Sequence, residues 1–157
     1  MSIRQATLED LDAVAPLFDA YRQFYRQPAD LPLARAFLQA RLGGGDSVVY
    51  LAEDEGAAVG FVQLYPLFSS TAPRPGRIWL LNDLYVVPAA RGRGVARRLM
   101  DRARQLAEET GAGAIELATA RSNATAQALY ERAGYEPYGE VFLDAGIEHV
   151  MMGRALA

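Results

Sequence analysis

The sequence predicts an α/β (α+β) fold in which a mixed sheet of about seven strands is flanked by about four helices. Short segments with the apolar pattern of strands predict the sheet, and longer segments with apolar residues at helical spacing predict the helices. Glycine, proline and helix-capping residues separate these segments. A length of 157 residues suits one substantial core, so we predict a single domain over residues 1–157.

The first strand is predicted over Ile3–Ala6, and a helix follows it directly. Thr7 is placed to cap this helix, with Asp10 three residues on as a variant of the capping box. Its buried face is predicted from apolar residues at helical spacing, namely Leu11, Val14, Leu17, Phe18 and Tyr21. A second helix is predicted to begin after Asp30, because the proline of Leu31-Pro32 suits a first helical turn.

The triple glycine at residues 43–45 is predicted to end the second helix. Two strands, Ser47–Glu53 and Ala58–Tyr65, then flank an acidic hairpin turn. Pro66–Gly76 is rich in proline and is predicted to be a long loop. Ile78–Val87 is apolar at nearly every position, which is typical of a central strand covered on both faces.

The second half of the chain predicts two more helices and three more strands. The third helix ends near Thr110-Gly111, and a strand is predicted over Ala114–Thr119. Ser122 or Asn123 caps the fourth helix, which Gly134 ends; its apolar face contains Ala126, Leu129, Tyr130 and Ala133. Two final strands, over about residues 137–143 and 147–155, complete the sheet.

The turn between the central strand and the third helix predicts a phosphate site. Gly92 and Gly94 let the backbone approach a ligand closely, and the start of the helix offers free N–H groups. The helix itself is supported by an apolar face of Leu99, Ala103 and Leu106. Arg97 and Arg98 lie in its first turn, where positive charge opposes the helix dipole, and a bound polyanion would relieve that conflict.

Two common phosphate-binding loops do not fit this turn. A P-loop requires a lysine, and the chain contains none. A dinucleotide-binding loop needs a third glycine where the chain has Arg97, whose side chain would obstruct close packing of helix and strand. A binder of NAD-type dinucleotides is therefore disfavoured, and competition between coenzyme A and NAD would test it.

Composition excludes several other classes of function. The chain has no cysteine, so disulfides, thiolate metal sites and a cysteine nucleophile are absent. Its only histidine, His149, has no second histidine or cysteine to complete a metal site and is interpreted as a strand residue. A formal charge of −3 argues against general nucleic-acid binding. No apolar run approaches the roughly 20 residues of a membrane span, and residues 1–5 do not resemble a signal peptide, so we expect a cytoplasmic location without membrane binding.

Two motifs resemble those of the GNAT N-acetyltransferase superfamily. The first is Arg91-x-x-Gly94-x-Ala96 after an apolar strand, which fits the family signature Q/R-x-x-G-x-G/A. The second is Asn123-x-x-Ala126-x-x-Leu129-Tyr130-Glu131-Arg132-Ala133-Gly134-Tyr135. The resemblance covers the whole chain, and it implies a mostly antiparallel twisted sheet and the co-substrate acetyl-coenzyme A, with no metal.

The resemblance also implies which residues bind acetyl-coenzyme A. Its pyrophosphate would lie on the turn formed by Arg91, Gly92, Arg93, Gly94, Val95, Ala96 and the amide of Arg97. Its pantetheine arm would pair along the strand edge at Leu84, Tyr85 and Val86. Asn123, with Ala126 in the same motif, would contact the pantetheine region. The side chains of Arg93, Arg97 and Arg98 could also meet phosphate charge, or form a solvated face instead.

The resemblance assigns Tyr130 as the general acid that protonates the departing thiolate. The base is left open by the residues. In related polyamine acetyltransferases the residue matching Asn82 is a glutamate, but an asparagine cannot take a proton. Asp83 can do so, yet strand alternation is expected to point it away from Asn82. Glu116 and a water chain are the other candidates.

The sequence therefore predicts an acetyltransferase that moves acetyl to a primary amine by direct attack in a ternary complex. The acceptor could be a small molecule, an amino acid or polyamine-like compound, or a peptide. The alternative is a non-catalytic acyl-coenzyme A-binding regulatory module on the same fold, which the absence of an acid at Asn82 leaves open. Dimerisation is common in the family, so the resemblance makes a homodimer an expectation.

Overall fold

The computed structural model describes residues 1–71, 74–144 and 146–156. Its strands are β1 (Ser2–Gln5), β2 (Val48–Asp54), β3 (Ala57–Ser69), β4 (Gly76–Val86), β5 (Ala114–Ala120), β6 (Glu136–Asp144) and β7 (Ile147–Ala155). Its helices are α1 (Leu11–Phe24), α2 (Leu31–Gly44), α3 (Val95–Glu109) and α4 (Ala124–Arg132). Short 3₁₀ turns at Leu8–Asp10 and Pro88–Ala90 precede α1 and α3. The order of elements agrees with the sequence prediction.

All seven strands form one sheet in the order β1-β2-β3-β4-β5-β7-β6. Only β4 and β5 run parallel, and every other neighbouring pair is antiparallel. The predicted mixed, mostly antiparallel sheet is therefore confirmed. Helices α1 and α2 pack on one face, around Val14, Leu38 and Phe61. Helix α3 packs on the other face around Leu99, where residues of α4 also contact the core.

The predicted helix starts are confirmed in detail. The Thr7 side chain accepts from the Glu9 N–H at 3.3 Å, and the Asp10 carboxylate accepts from the Thr7 N–H at 2.8 Å. Asp30 accepts from the Leu33 N–H at 3.1 Å. These short-range hydrogen bonds satisfy backbone donors at the helix ends, which is why the sequence alone could locate them.

The predicted long loop over Pro66–Gly76 is wrong at both ends. Strand β3 continues to Ser69 and β4 begins at Gly76, with Pro66 paired opposite Trp79. Strand β2 pairs with β3 only as far as Leu64, so the outer edge of β3 is open beyond that point. Proline is tolerated on such an open edge because no hydrogen bond of the ladder is lost there.

None of the helices in the described part of the chain is both long and apolar enough to cross a membrane.

Candidate functional site

The turn before α3 presents a row of free backbone donors. Gly92 and Gly94 have φ angles of 76° and 80°, a conformation that side chains rarely adopt, and Gly94 precedes the first residue of α3. The first hydrogen bond that closes the helix runs from the Arg98 N–H to the Gly94 carbonyl at 3.1 Å. Among the described residues, the N–H groups of residues 92–97 have no acceptor. This arrangement can bind an anion such as phosphate.

The arginines of the turn are anchored to the protein. Arg93 forms an ion pair with Asp54. Arg97 contacts Asp101 at 3.0 Å and donates to the Arg132 carbonyl at 3.1 Å, which ties α3 to the end of α4. Arg98 donates to the Met1 carbonyl at 3.2 Å. Each guanidinium has further donors that these contacts do not use, so contact of the arginine side chains with phosphate stays a prediction. The main anion site is formed by the backbone N–H groups.

Arg91 closes the other side of the same turn. Its Nε donates to the Val86 carbonyl at 2.9 Å, and its guanidinium carbon lies 5.7 Å from the centre of the Tyr85 ring. The Arg91 side chain therefore fixes the end of β4 relative to the turn. The first motif thus combines a backbone anion site with an arginine that holds the preceding strand in place.

A gap opens between β4 and β5 beside this turn. The parallel ladder consists of two pairs, Trp79 with Ile115 and Leu80 with Glu116. Beyond them β4 continues to Val86 and β5 to Ala120 without pairing to each other. Residues 81–86 therefore present an unpaired strand edge, and such an edge can pair with an extended ligand. The residues predicted to pair with pantetheine, Leu84, Tyr85 and Val86, lie along it.

A β-bulge interrupts β4 at Asn82. Leu64 of β3 lies opposite Leu81, and the preceding residue of β3, Gln63, lies opposite Asp83, so Asn82 is the extra residue. An extra residue reverses the alternation of side chains beyond it. The prediction that Asn82 and Asp83 point to opposite faces is therefore wrong, because the Asn82 amide donates to the Asp83 carboxylate at 3.0 Å.

The bulge places Asp83 in a nearly dry environment, with a side chain that is 6% exposed. Its carboxylate accepts from the Gln63 amide at 2.6 Å, in addition to the bond from Asn82. The Tyr21 hydroxyl, which lies 3.4 Å from the Asn82 carbonyl, also interacts with Asp83. Burial raises the pKa of Asp83, and these hydrogen bonds offset part of the rise. The carboxylate is thereby a stronger proton acceptor than an exposed aspartate.

Tyr130 lies on α4 and packs against the apolar core on that face of the sheet. Burial raises the pKa of Tyr130 to about 12, and the charge of Tyr25 on α1's end adds to the rise. The role of Tyr130 as the general acid stays a prediction.

Asn123 caps α4 as expected, because its side chain accepts from the Ala126 N–H at 3.1 Å. Contact of Asn123 and Ala126 with a ligand stays a prediction.

A cleft of about 560 Å³ opens on the α1 side of the gap. Its walls combine aromatic rings, aliphatic side chains and charged groups: Phe18, Tyr21, Arg22, Tyr25, Gln27, Leu67, Leu80, Leu81, Asn82, Asp83, Glu116, Ala118, Phe142, Asp144, His149 and Met151. This volume suits a small molecule.

His149 is buried, and its Nδ1 lies 2.8 Å from the Ile147 carbonyl oxygen. This agrees with its interpretation as a strand residue.

No group of three or more His, Cys, Asp or Glu residues suited to a metal ion occurs in the part of the chain that the structure describes.

Sequence reasoning missed two contributors to this site and misjudged a third. Gln63 is fully buried yet polar, and as the one amide in an apolar strand it could have been noticed. Tyr25 was overlooked, although it follows Tyr21 by one helical turn. Tyr21 was predicted only as a packing residue, and it also contacts the backbone of the bulge.

Comparison with known proteins gives matches in both sequence and fold. The sequence model described as the acetyltransferase (GNAT) family matches residues 12–135. An uncharacterized N-acetyltransferase of Bacillus subtilis (strain 168), YhfO, is 50% identical over 136 residues, which cover 87% of this chain and 90% of that protein. The crystal structure of a probable acetyltransferase is 42% identical, with a TM-score of 0.83 over 92% of this chain and 97% of that one. Arabidopsis thaliana NAA60, solved in complex with acetyl-CoA, shares the fold at 18% identity, with a TM-score of 0.78 over 99% of this chain and 98% of that one.

Proposed function

The chain belongs to the GNAT acetyltransferase family, and on that premise we propose that it transfers acetyl from acetyl-coenzyme A to a primary amine by direct attack in a ternary complex. One observation carries the proposal. The free N–H groups before α3 lead into the unpaired edge of β4, and that edge leads to the buried carboxylate of Asp83 in an acidic cleft.

The residues present fit acetyl-coenzyme A. A pyrophosphate requires several donors from backbone, and residues 92–97 offer them in a turn where a Cβ added to Gly92 or Gly94 would meet nothing within 4 Å. The amide groups of a pantetheine arm require an unpaired strand edge, which residues 81–86 supply. When bound, acetyl-coenzyme A supplies an acetyl group already activated as a thioester.

The chain's own residues then move two protons. Asp83 accepts a proton from the ammonium group of the acceptor, because only the neutral amine can attack. Gln63 and Asn82 hold the carboxylate in place through their amides. Tyr130 donates a proton to the sulfur as the carbon–sulfur bond breaks and the carbon–nitrogen bond forms. The nitrogen then loses its second proton, which passes through water to the Tyr130 phenolate and restores the phenol, while the proton held by Asp83 leaves to solvent. Orientation of the two substrates by β4 and the cleft supplies much of the acceleration.

Asp83 is favoured over Glu116 as the base by its burial. Glu116 is partly exposed and interacts with the Tyr138 hydroxyl, whereas Asp83 is enclosed and its pKa is raised. A base whose pKa lies closer to the working pH transfers protons more effectively. The deviation from relatives that carry a glutamate at position 82 is thus compensated by the neighbouring aspartate, which the bulge turns into the cleft.

A screen for acceptors tests the proposed function. Purified protein is incubated with acetyl-coenzyme A and a panel of monoamines, diamines, amino acids and short peptides, and release of free thiol is followed together with the mass of the product. We expect thiol release that depends on the amine and a matching acetylated product. Binding of acetyl-coenzyme A by calorimetry with no turnover on any amine would instead support the non-catalytic module. Displacement of acetyl-coenzyme A by NAD would support the dinucleotide binder.

Replacing Asp83 by asparagine should lower the rate of acetyl transfer without lowering the stability of the fold. We expect kcat to fall by about 10²-fold or more, as is typical for loss of a general base. The folded-state pKa of Asp83 is raised, so its contribution to stability is largest below the ordinary pKa of aspartate and is lost as pH rises through the raised value. At pH 7 the ionised group therefore destabilises the fold, and Asp83→Asn should unfold at an equal or higher temperature than the wild type.

The measurements are kcat by thiol release and thermal unfolding at pH 7 and near pH 4. The wild-type rate should decline as pH falls through the Asp83 pKa, and the stability difference between the two proteins should shrink at low pH. Asp12→Asn, which alters an exposed carboxylate on α1, serves as the matched control. Wild-type kcat in Asp83→Asn would rule out Asp83 as the base.

A further inference from the structure

We propose that Tyr21 is a positioning residue for the base: its hydroxyl favours the ionised carboxylate of Asp83 and leaves Oδ1 as the oxygen that takes the proton. The inference rests on the proposed function and adds a residue to it. It follows from the way in which three hydrogen-bonding side chains surround this carboxylate.

The two amide donors of the carboxylate share one of its oxygens. Gln63 donates to Oδ2 of Asp83 at 2.6 Å, and Asn82 donates to the same atom at 3.0 Å. A carboxylate oxygen has about two lone-pair sites, so these two hydrogen bonds occupy Oδ2. Oδ1 receives neither of these amides, and it is therefore the oxygen that is available for the proton of the acceptor.

Gln63 and Tyr21 approach Asp83 from different sides. Gln63 is fully buried behind the cleft wall, whereas Tyr21 and Asp83 both line the cleft. The Tyr21 hydroxyl lies 3.4 Å from the Asn82 carbonyl oxygen and hydrogen-bonds to the Asp83 carboxylate. Tyr21 thus connects helix α1 to the base from the side on which the cleft opens.

Four neighbouring aromatic rings fix the position of the Tyr21 ring. Their centroids lie between 5.1 and 6.4 Å from that of Tyr21, and they belong to Phe18, Tyr25, Phe61 and Tyr85. Stacked and edge-to-face contacts of this kind stabilise a ring beyond its burial. Because phenylalanine makes the same ring contacts, removal of the hydroxyl should leave the packing of α1 on the sheet intact.

Three oxygens surround the single hydrogen of the Tyr21 hydroxyl, and they belong to the Asp83 carboxylate, the Asn82 carbonyl and the Tyr25 hydroxyl. A hydrogen bond to an ionised group is roughly twice as strong as one between neutral groups. The hydrogen therefore goes to Asp83 while the carboxylate is ionised, and it turns to a neutral oxygen once Asp83 holds a proton. This difference favours the ionised form, which is the form that can act as the base.

Other titratable or charged groups line the cleft or feel the charge of Asp83, and they come from α1, β3, β5, β6 and β7: Arg22, Tyr25, Tyr65, Glu116, Asp144 and His149. Within the described ranges, none of these six hydrogen-bonds to the Asp83 carboxylate, which is bonded by Asn82, Gln63 and Tyr21. Burial and the charge of Asp83 raise the pKa of Tyr21, so its hydroxyl stays protonated and acts as a donor at every working pH.

Tyr21→Phe tests the role of this hydroxyl through the pH profile of kcat/KM. Loss of a donor to the ionised form raises the pKa of Asp83, so we expect the acid limb to move up by about one pH unit. On that limb the variant should be about tenfold slower than wild type, and above it the two should converge. The ratio of variant to wild type cancels the titration of the acceptor amine. A ratio that does not change with pH would show that Tyr21 is only a packing residue.

Tyr65→Phe is the matched control for this profile. Tyr65 lies on β3 and is half-buried, and burial together with the charge of Asp83 raises its pKa to about 12. Its phenol is therefore neutral at the working pH, and it is not among the side chains that hydrogen-bond to Asp83 in the described structure. Tyr65→Phe should keep the wild-type pH profile.

Carboxyl-carbon NMR of protein labelled in its aspartates measures the pKa of Asp83 without turnover, and Asp83→Asn assigns the signal. We expect a higher pKa of Asp83 in Tyr21→Phe than in wild type or Tyr65→Phe. An equal pKa in Tyr21→Phe and wild type would overturn the inference and leave the proposed function intact. A raised pKa that the rate profile does not follow would instead contradict Asp83 as the base, on which the inference rests.

Discussion

Replacing Gly94 by glutamate is expected to weaken acetyl-coenzyme A binding by about 10²-fold or more, since it brings a like charge against the pyrophosphate at a desolvated anion site. Gly94 immediately precedes α3, so a side chain there belongs to the same turn as the free N–H groups of residues 92–97. A Cβ at this position meets nothing within 4 Å, so the fold has room for the side chain even though its φ of 80° is strained for a non-glycine residue.

Gly94→Gln is the control that distinguishes the effect of the glutamate's charge from the effect of backbone strain at position 94. It has nearly the same size and backbone cost as the glutamate, so thermal unfolding should shift equally in the two variants. Calorimetry should find acetyl-coenzyme A bound at least tenfold more tightly by Gly94→Gln than by Gly94→Glu, because only the carboxylate repels phosphate. Equal binding by folded Gly94→Glu and wild type would show that the pyrophosphate does not lie on this turn.

Replacing Tyr130 by phenylalanine is expected to lower the rate constant of acetyl transfer by about 10²-fold or more, as for the loss of a positioned general acid. The ring keeps its packing on α4, so stability and acetyl-coenzyme A binding should change little. Burial raises the pKa of Tyr130 to about 12, so the phenol is protonated at neutral pH but is a weaker acid than an exposed tyrosine, and close positioning against the sulfur has to offset this. Single-turnover transfer is the measurement, because product release then cannot mask the chemical step.

Tyr135→Phe is the matched control for Tyr130→Phe. The two rings lie 6.4 Å apart, and the Tyr135 hydroxyl is buried without a hydrogen-bond partner in the described residues. Removing that hydroxyl should leave the transfer rate within about twofold of wild type, since it leaves no partner unsatisfied. If Tyr130→Phe transfers acetyl as fast as Tyr135→Phe, Tyr130 is a packing residue and water must supply the proton.

The features that sequence could predict are set by short-range interactions. The caps at Thr7, Asp30 and Asn123 each bind a backbone N–H within three residues, so the residue types alone indicated them. The glycine turn before α3 is similarly local, because its anion site is built from consecutive backbone donors. Both predictions required no knowledge of tertiary contacts.

The features that sequence missed depend on pairing between distant residues. The bulge at Asn82 exists only as a shift in register against Gln63 and Leu64, and no pattern within β4 revealed it. That shift brought Asp83 into the cleft, which strand alternation had placed on the other face. Pro66 likewise suits a strand only because β2 pairs no further than Leu64.

The acceptor cleft lay beyond sequence reasoning for the same reason. Its charged groups come from different elements: Arg22 from α1, Asp83 from β4, Glu116 from β5 and Asp144 from β6. Asp83 and Glu116 had each been recognised as a candidate base, but that both line one cleft with Arg22 and Asp144 had not. Only the order of strands in the sheet brings these groups to one place.

The most direct test of the proposed mechanism uses acetyl-coenzyme A labelled in its acetyl group. The protein is first mixed with the labelled compound alone, and then with the acceptor amine, while free thiol, labelled protein and labelled product are followed by rapid quench. Direct attack predicts no thiol and no labelled protein until the amine is added, after which thiol and acetylated amine appear together at one rate. Thiol release with label on the protein before the amine is added would contradict direct transfer from acetyl-coenzyme A to the amine.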